Sequence, residues 1–206
     1  MSIIRIIYKA LCYANVIIKY NICTCIFIIK IKLNGVKYGH HIRCYNAIPA
    51  LQINRNSGSV IFGNNVIFNS YAYHSWNCKC KIIVTKDAVL HIGDSSGMNG
   101  VMIFCSNKII IGNDVKIGGG TRISDSNNHS LNYLERRDIK TDAMYAKTSP
   151  IYIENDVFIG ANCIINKGVT IGARSIIAAG SVVVKSIPED EIWGGNPAKF
   201  IKKINL

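Results

Sequence analysis

"IYIENDVFIGANCIINKGVTIGARSIIAAGSVVV", residues 151–184, returns an aliphatic side chain at every sixth position: Ile153, Ile159, Ile165, Ile171, Ile177 and Val183. A helix would repeat every 3.6 residues, and a half-exposed strand every second residue. From Ile153 the blocks are IENDVF, IGANCI, INKGVT, IGARSI, IAAGSV and VVKSIP. Position one is aliphatic and position two is usually small. Position five is small or β-branched: Val157, Cys163, Val169, Ser175 and Ser181. Six residues suffice for one short strand and one turn, and a Gly, Asn or Asp beside the aliphatic permits the turn. Three blocks close a triangular coil, and stacked coils bury a continuous column of aliphatics. Glycine at this frequency argues against a helix.

The phase extends upstream. Ile111-Gly112-Asn113-Asp114-Val115-Lys116 and Ile117-Gly118-Gly119-Gly120-Thr121-Arg122 lead to Ile123. Weaker copies begin at Ile92-Gly93 and Met98, and around Phe62-Gly63 and Tyr38-Gly39. The period breaks once, between Ile123 and Ile151. A polar insertion in a rigid solenoid is a surface loop, and such loops often carry function. This one contains His129, preceded by Asp125, Asn127 and Asn128. An unperturbed histidine titrates near neutral pH and can take a hydroxyl proton. His40, His41, His74 and His91 lack comparable neighbours and read as ordinary structural or solvated side chains.

Hydrophobic residues make up 49% of the 206 residues and charged residues 17%, which places the chain among packed globular proteins rather than disordered ones. The formal net charge of +12 favours a polyanionic partner. No long basic run, RRM, zinc-finger or helix-turn-helix pattern points to nucleic acid. The opening MSIIRIIYKALCYANVIIKY has no small-residue cleavage site after its apolar stretch, so no secretory signal is expected. The eight cysteines are therefore expected to be reduced and to act as small hydrophobes. A zinc site at His74, Cys78 and Cys80 would lack a second ligand pair, and no metal is expected.

Residues 1–35 read as a separate extension. Ile3, Ile6, Ile7, Ala10, Leu11, Ala14, Ile17 and Ile18 fall at helical spacing, with Arg5 and Lys9 elsewhere on the wheel. Residues 22–33 are β-branched and read as a strand. Lys19 and Lys30 leave too short an apolar run to span a membrane. The basic, apolar helix suits peripheral contact with the inner face of a membrane, or packing against a neighbouring subunit.

The blocks resemble the hexapeptide repeat of left-handed parallel β-helix acyltransferases, over roughly residues 36–206. Gly194-Gly195-Asn196-Pro197-Ala198-Lys199 is similar to the G-x-P-A-K end of that family's solenoid. The resemblance implies an all-β solenoid: a left-handed parallel β-helix at 36–206, with the helix-and-strand extension at 1–35, a loop insertion at 124–150, and a tail at 194–206 carrying a short C-terminal helix. Similar β-helices also serve nucleotidyltransferases, zinc-dependent carbonic anhydrases and purely structural proteins, so the repeat speaks to fold more than to activity.

For activity, Ile123-Ser124-Asp125-Ser126-Asn127-Asn128-His129 is similar to the "I-x-D-x-x-H"-like stretch of the family's sugar O-acetyltransferases. The resemblance implies His129 as general base. In the galactoside and maltose acetyltransferases an asparagine faces that histidine; Asn99, in Ser96-Gly97-Met98-Asn99, is the matching position, implied to orient the acceptor hydroxyl. Asp125 is implied either to hold a sugar hydroxyl or to fix the histidine. The implied donor is acetyl-CoA, lying along the C-terminal coils at positions matched by Ala161, Ala179, Val184, Lys185 and Lys199, with Lys202 a further basic position. The family builds its active sites between the subunits of a trimer. The nearest branch works in polysaccharide biosynthesis, so the implied acceptor is a hydroxyl of a surface glycan such as O-antigen or capsule, or its precursor, handled in the cytoplasm. An amino-sugar nitrogen, a small free sugar or serine are alternatives within acyl transfer, and a non-catalytic scaffold is the alternative outside it.

Overall fold

The computed structural model describes residues 3–70 and 78–205. Strands of two to four residues wind into a left-handed parallel β-helix with three faces. The first face stacks Lys37–Tyr38, Val60–Phe62, Val89–Ile92, Lys108–Ile111, Ile151–Ile153 and Thr170–Ile171. The second runs from Arg43–Tyr45 through Ile67–Asn69, Gly97–Asn99, Lys116–Ile117, Phe158–Ile159 and Ile176–Ile177 to Glu191–Gly194. The third comprises Ala50–Ile53, Lys81–Val84, Met102–Cys105, Arg122–Ser124, Ile164–Ile165 and Val182–Val183.

The six-residue period is what places aliphatics inside. Ile153, Ile159 and Ile165 take the three faces in turn, and Ile171, Ile177 and Val183 sit directly above them. All six are at most 1% exposed. Burying such a side chain is worth about 1.5–3 kcal/mol. Position five also points inward, at the corners: Val157, Cys163, Val169, Ser175 and Ser181 are buried. Its serines are satisfied locally, Ser175 Oγ donating to the Pro188 carbonyl at 2.6 Å.

A ladder of side chains ties the corner between the first and second faces. Asn64 Oδ1 accepts from the His40 amide at 2.9 Å, Asp94 Oδ1 from Asn64 at 2.7 Å, Asn113 Oδ1 from Asp94 at 2.8 Å, and Asn155 Oδ1 from Asn113 at 2.9 Å. The Asn64 amides hold the Asp94 carboxyl below the usual carboxylate range. Each coil must approach the next closely here, which is why glycine precedes the ladder residue. A Cβ built on Gly93 would lie 2.5 Å from the Gly112 carbonyl carbon.

Two expected elements differ. Residues 22–33 are not a strand: α1 runs unbroken over Ile3–Leu33. Cys23, Phe27 and Ile31, four residues apart, form one helical stripe that closes the end of the solenoid, with Phe27 5.0 Å from Phe68 between ring centroids. That burial overrides the β-branched composition. The opposite side of α1 exposes Ile7, Leu11, Ile18, Ile22, Ile29 and Leu33. Ile7, Ile18 and Ile29 recur at intervals of eleven residues, as do Leu11, Ile22 and Leu33, so the ridge runs straight along the helix. No helix among the described residues is long and apolar enough to cross a membrane. The short C-terminal helix is also absent from residues 199–203: Lys199–Lys203 is a strand, antiparallel to Glu191–Gly194. It covers the hydrogen-bonding edge that the last coil leaves open, whereas five residues are too few for a stable helix.

Gly93→Ala is expected to destabilise the protein by about 1–3 kcal/mol through overpacking. Gly97→Ala, whose Cβ meets nothing nearer than 3.8 Å, is the tolerated control. Urea denaturation of the two variants against the parent checks this.

Candidate active site

The insertion leaves the corner between the third and first faces. Its neck is tied by the Ser126–Thr148 bridge and by the Ser149 amide donating to the Asp125 carbonyl at 2.9 Å. Beyond the neck lies α2, Ile139–Tyr145, whose first amides are capped by Asp138: its Oδ1 accepts from the Lys140 and Thr141 amides, each at 3.0 Å. An Asp at this position satisfies amides that the first turn leaves unpaired.

The cap aims Asp142, in the first turn of α2, back at the loop. Asp142 Oδ2 lies 2.6 Å from His129 Nδ1, and Oδ1 accepts from the Ser130 amide at 2.8 Å. The His129 bond and then the Ser130 amide hold the Asp142 carboxyl below its ordinary range. An ionised carboxylate only accepts, so Nδ1 donates this bond and Nε2 faces away from Asp142. The His129 side chain is 69% exposed, against 13% for Asp142. Arg136 Nη1 donates to the Ser130 carbonyl at 2.7 Å, and Ser130 Oγ donates to Glu135, which stiffens the loop around the pair.

Between this loop and the outer surface of the third face lies a cavity of about 750 Å³. Met102, Phe104 and Arg122 form its floor; Asn128, Ala143 and Ala146 line it from the insertion. Neither His129 nor Asp142 lines it, but their sequence neighbours Asn128 and Ala143 do.

The sequence-derived candidates fall into separate places. Asp125 does not reach His129 and does not face an acceptor. Its side chain is fully buried, Oδ1 accepting from the Ser106 amide at 2.7 Å and Oδ2 from the Asn107 amide at 2.8 Å. Burial pushes its carboxyl up from the ordinary range. It is a frame residue at the loop's base, and Asp142 takes the orienting position instead. Asn99 ends its strand at the corner between the second and third faces. The third face separates it from the His129 corner by roughly 10–13 Å, three or four residues at strand rise. Ala161 and Ala179 stack at the same corner as Asn99, linked by the Gly180 amide donating to the Ala161 carbonyl at 2.8 Å. Val184 and Lys185 are exposed past the far edge of the third face, and Lys199 is exposed where the final strand starts.

The remaining histidines and cysteines form no competing centre among the described residues. No group of three His, Cys, Asp or Glu is placed to hold a metal. His74 lies outside the described residues. His91 Nε2 bonds Ser59 Oγ at 3.1 Å. The cysteines are free thiols, and burial pushes Cys44 up to about 12.

Residues 150–185 match the family described as the hexapeptide repeat of succinyl-transferase. The galactoside O-acetyltransferase of Escherichia coli is 37% identical over 117 residues, 56% of this chain and 55% of that protein. A 2,3,4,5-tetrahydropyridine-2,6-dicarboxylate N-acetyltransferase of Clostridium perfringens is 51% identical over 57 residues, 28% of this chain and 24% of the relative. Among solved structures, a hexapeptide-repeat acetyltransferase of Vibrio cholerae in complex with acetyl coenzyme A shares 42% identity at a TM-score of 0.51, over 56% of this chain and 61% of that one. The chain thus spans about half the length of the galactoside O-acetyltransferase it matches. It carries the hexapeptide repeat over residues 150–185 and is similar, over about half its length, to acetyltransferases built on that repeat.

Proposed function

We propose that the protein transfers an acetyl group from acetyl-CoA to a sugar hydroxyl, with His129 as general base. The observation that carries this reading is the His129–Asp142 pair beside the cavity. Bound acetyl-CoA supplies an activated thioester carbonyl. His129 Nε2 takes the proton of the attacking hydroxyl as the new C–O bond forms. The ring then returns that proton to the departing thiolate as the C–S bond breaks. Asp142 stabilises the imidazolium between these steps and fixes the ring's tautomer, a positioning role. The donor fits the small side chains at Ala161 and Ala179, which leave room beside the backbone for a pantetheine chain. Lys185 and Lys199, exposed, suit its phosphates.

The site is read as shared between subunits of a homotrimer. Asn99 and the donor alanines occupy one edge of the third face, and the His129 loop springs from the other. One chain's loop therefore serves its neighbour's Asn99 and donor groove. The acceptor is read as a surface glycan such as O-antigen or capsule, or its precursor. The ridge of α1 supports work beside a membrane: Ile7, Leu11 and Ile18 are exposed, Arg5 and Lys9 keep to a separate stripe, and residues 3–33 contain no acidic residue.

With sugars as acceptors, His129→Ala is expected to lower acceptor-dependent CoA release by about 10²–10⁴ at an unchanged melting temperature. Asp142→Asn is expected to lower it less, through loss of the fixed tautomer. A sugar-dependent rate that survives His129→Ala would remove the base.

Light scattering should give roughly three times the 22.8 kDa chain mass. Co-refolding inactive His129→Ala and Asn99→Ala chains at equal amounts should restore about a quarter of the sites, those pairing an intact loop with an intact neighbour. No recovery would place both residues in one subunit's site.

Phosphatidylglycerol-containing vesicles should sediment the protein, and Ile7→Gln/Leu11→Gln/Ile18→Gln should abolish this. Binding that persists in the triple variant would remove α1 as the contact.

A further inference from the structure

We propose that the acceptor bound beside His129 carries a negative charge, and that Arg122 is the residue that selects it. This deepens the acetyl-transfer reading, on which the word acceptor rests. The argument starts from the alternation of the third face. Ile82, Ile103 and Ile123 point inward and are buried, so their neighbours in sequence point outward, and of these Ile83, Met102, Phe104, Arg122 and Ser124 line the cavity. Those outward residues form two columns. Ile83, Phe104 and Ser124 stack in register in one, and Lys81, Met102 and Arg122 in the other. The floor is therefore an apolar shelf of Ile83, Met102 and Phe104 with the Arg122 cation at one end.

Among the described residues, no Asp or Glu lines the cavity. The two acids next in sequence to lining residues, Asp125 and Asp142, are already engaged. Asp125 is turned inward onto the Ser106 and Asn107 amides, and Asp142 is committed to His129 and Ser130. Arg122 is exposed, and no ion pair forms at its guanidinium among the described residues. A cavity of about 750 Å³ falls within the range of small-molecule clefts, roughly 300–1,000 Å³. Its apolar shelf suits the flat C–H face of a sugar ring. Its guanidinium presents paired N–H donors matched to a carboxylate or a phosphate. The shared chemistry is thus an anionic group on or beside the acetylated sugar: a ring carboxylate, or the phosphate of a sugar phosphate or diphosphate-linked sugar.

The test compares matched acceptors that differ in charge. Acceptor-dependent CoA release is measured with glucose, glucuronate, glucose 1-phosphate and UDP-glucose. Binding of the same four is measured calorimetrically with the parent, Arg122→Gln, Arg122→Lys and His129→Ala. The expected result is a Kd and KM at least about tenfold lower for an anionic acceptor than for glucose. Glucuronate leading identifies a ring carboxylate; the phosphorylated pair leading identifies a phosphate. Arg122→Gln should erase the preference at an unchanged melting temperature, Arg122→Lys should keep part of it, and His129→Ala should retain it in binding. Equal binding of charged and neutral sugars by the parent overturns the proposal. So does an Arg122→Gln variant whose KM rises for acetyl-CoA while the anion preference stays, since that puts Arg122 on the donor. Arg122-dependent anion binding without any acetyl transfer would uphold the anion site and sink the enzymatic reading. Acetyl transfer without charge preference would do the reverse.

Discussion

Everything in this molecule hangs on how closely one coil can sit on the next. At the corner between the first and second faces, a side-chain oxygen of each coil accepts the backbone amide of the coil before it. The run from His40 through Asn64, Asp94 and Asn113 to Asn155 is continuous. Glycines at 39, 63, 93 and 112 permit that approach, and the residues after the ladder adopt left-handed backbone, from Asn65 at φ 56° to Asp156 at φ 61°. The aliphatic column supplies most of the favourable burial, but the ladder fixes the register that brings each Ile above the last. A coil held in register this way has little freedom to deform, so chemistry must be attached to it from outside.

The insertion shows how that attachment is made without disturbing the stack. Asp125 occupies the place in the coil where the chain departs, and its carboxylate bonds the Ser106 and Asn107 amides of the coil before. It is a second use of the ladder's device at another corner. The loop then closes on its own neck through Ser126 and Thr148. Frame and loop are thus separately satisfied: removing His129 takes one bond to Asp142 from the loop and none from the frame.

The β-helix was legible because its period is a geometric necessity: six residues per face admit few other readings once glycine and asparagine fall in phase. The strand assigned to residues 22–33 failed because an Ile-rich run is compatible with both structures. What decided for a helix was Phe27 meeting Phe68, a contact spanning 41 positions that no local window contains. His129 stands out in the sequence as the histidine of the polar insertion at 124–150. Asp125 was misplaced by proximity in sequence, although alternation could have corrected it: Ile123 points in, Ser124 out and Asp125 in again. Asp142 carries no such signal. It is 13 residues from His129, and only the folding of the loop over Asp138's cap turns it toward the ring.

That distance has a chemical consequence. A carboxylate next to the histidine in sequence would move with it, whereas Asp142 comes from a separate helix and can hold the ring against an external reference. Its carboxyl is depressed by partners it has only in the folded loop, so the interaction is fully present above the ordinary carboxylate range and fades only as pH falls through the lowered value. Across the neutral range the ring's orientation is therefore constant.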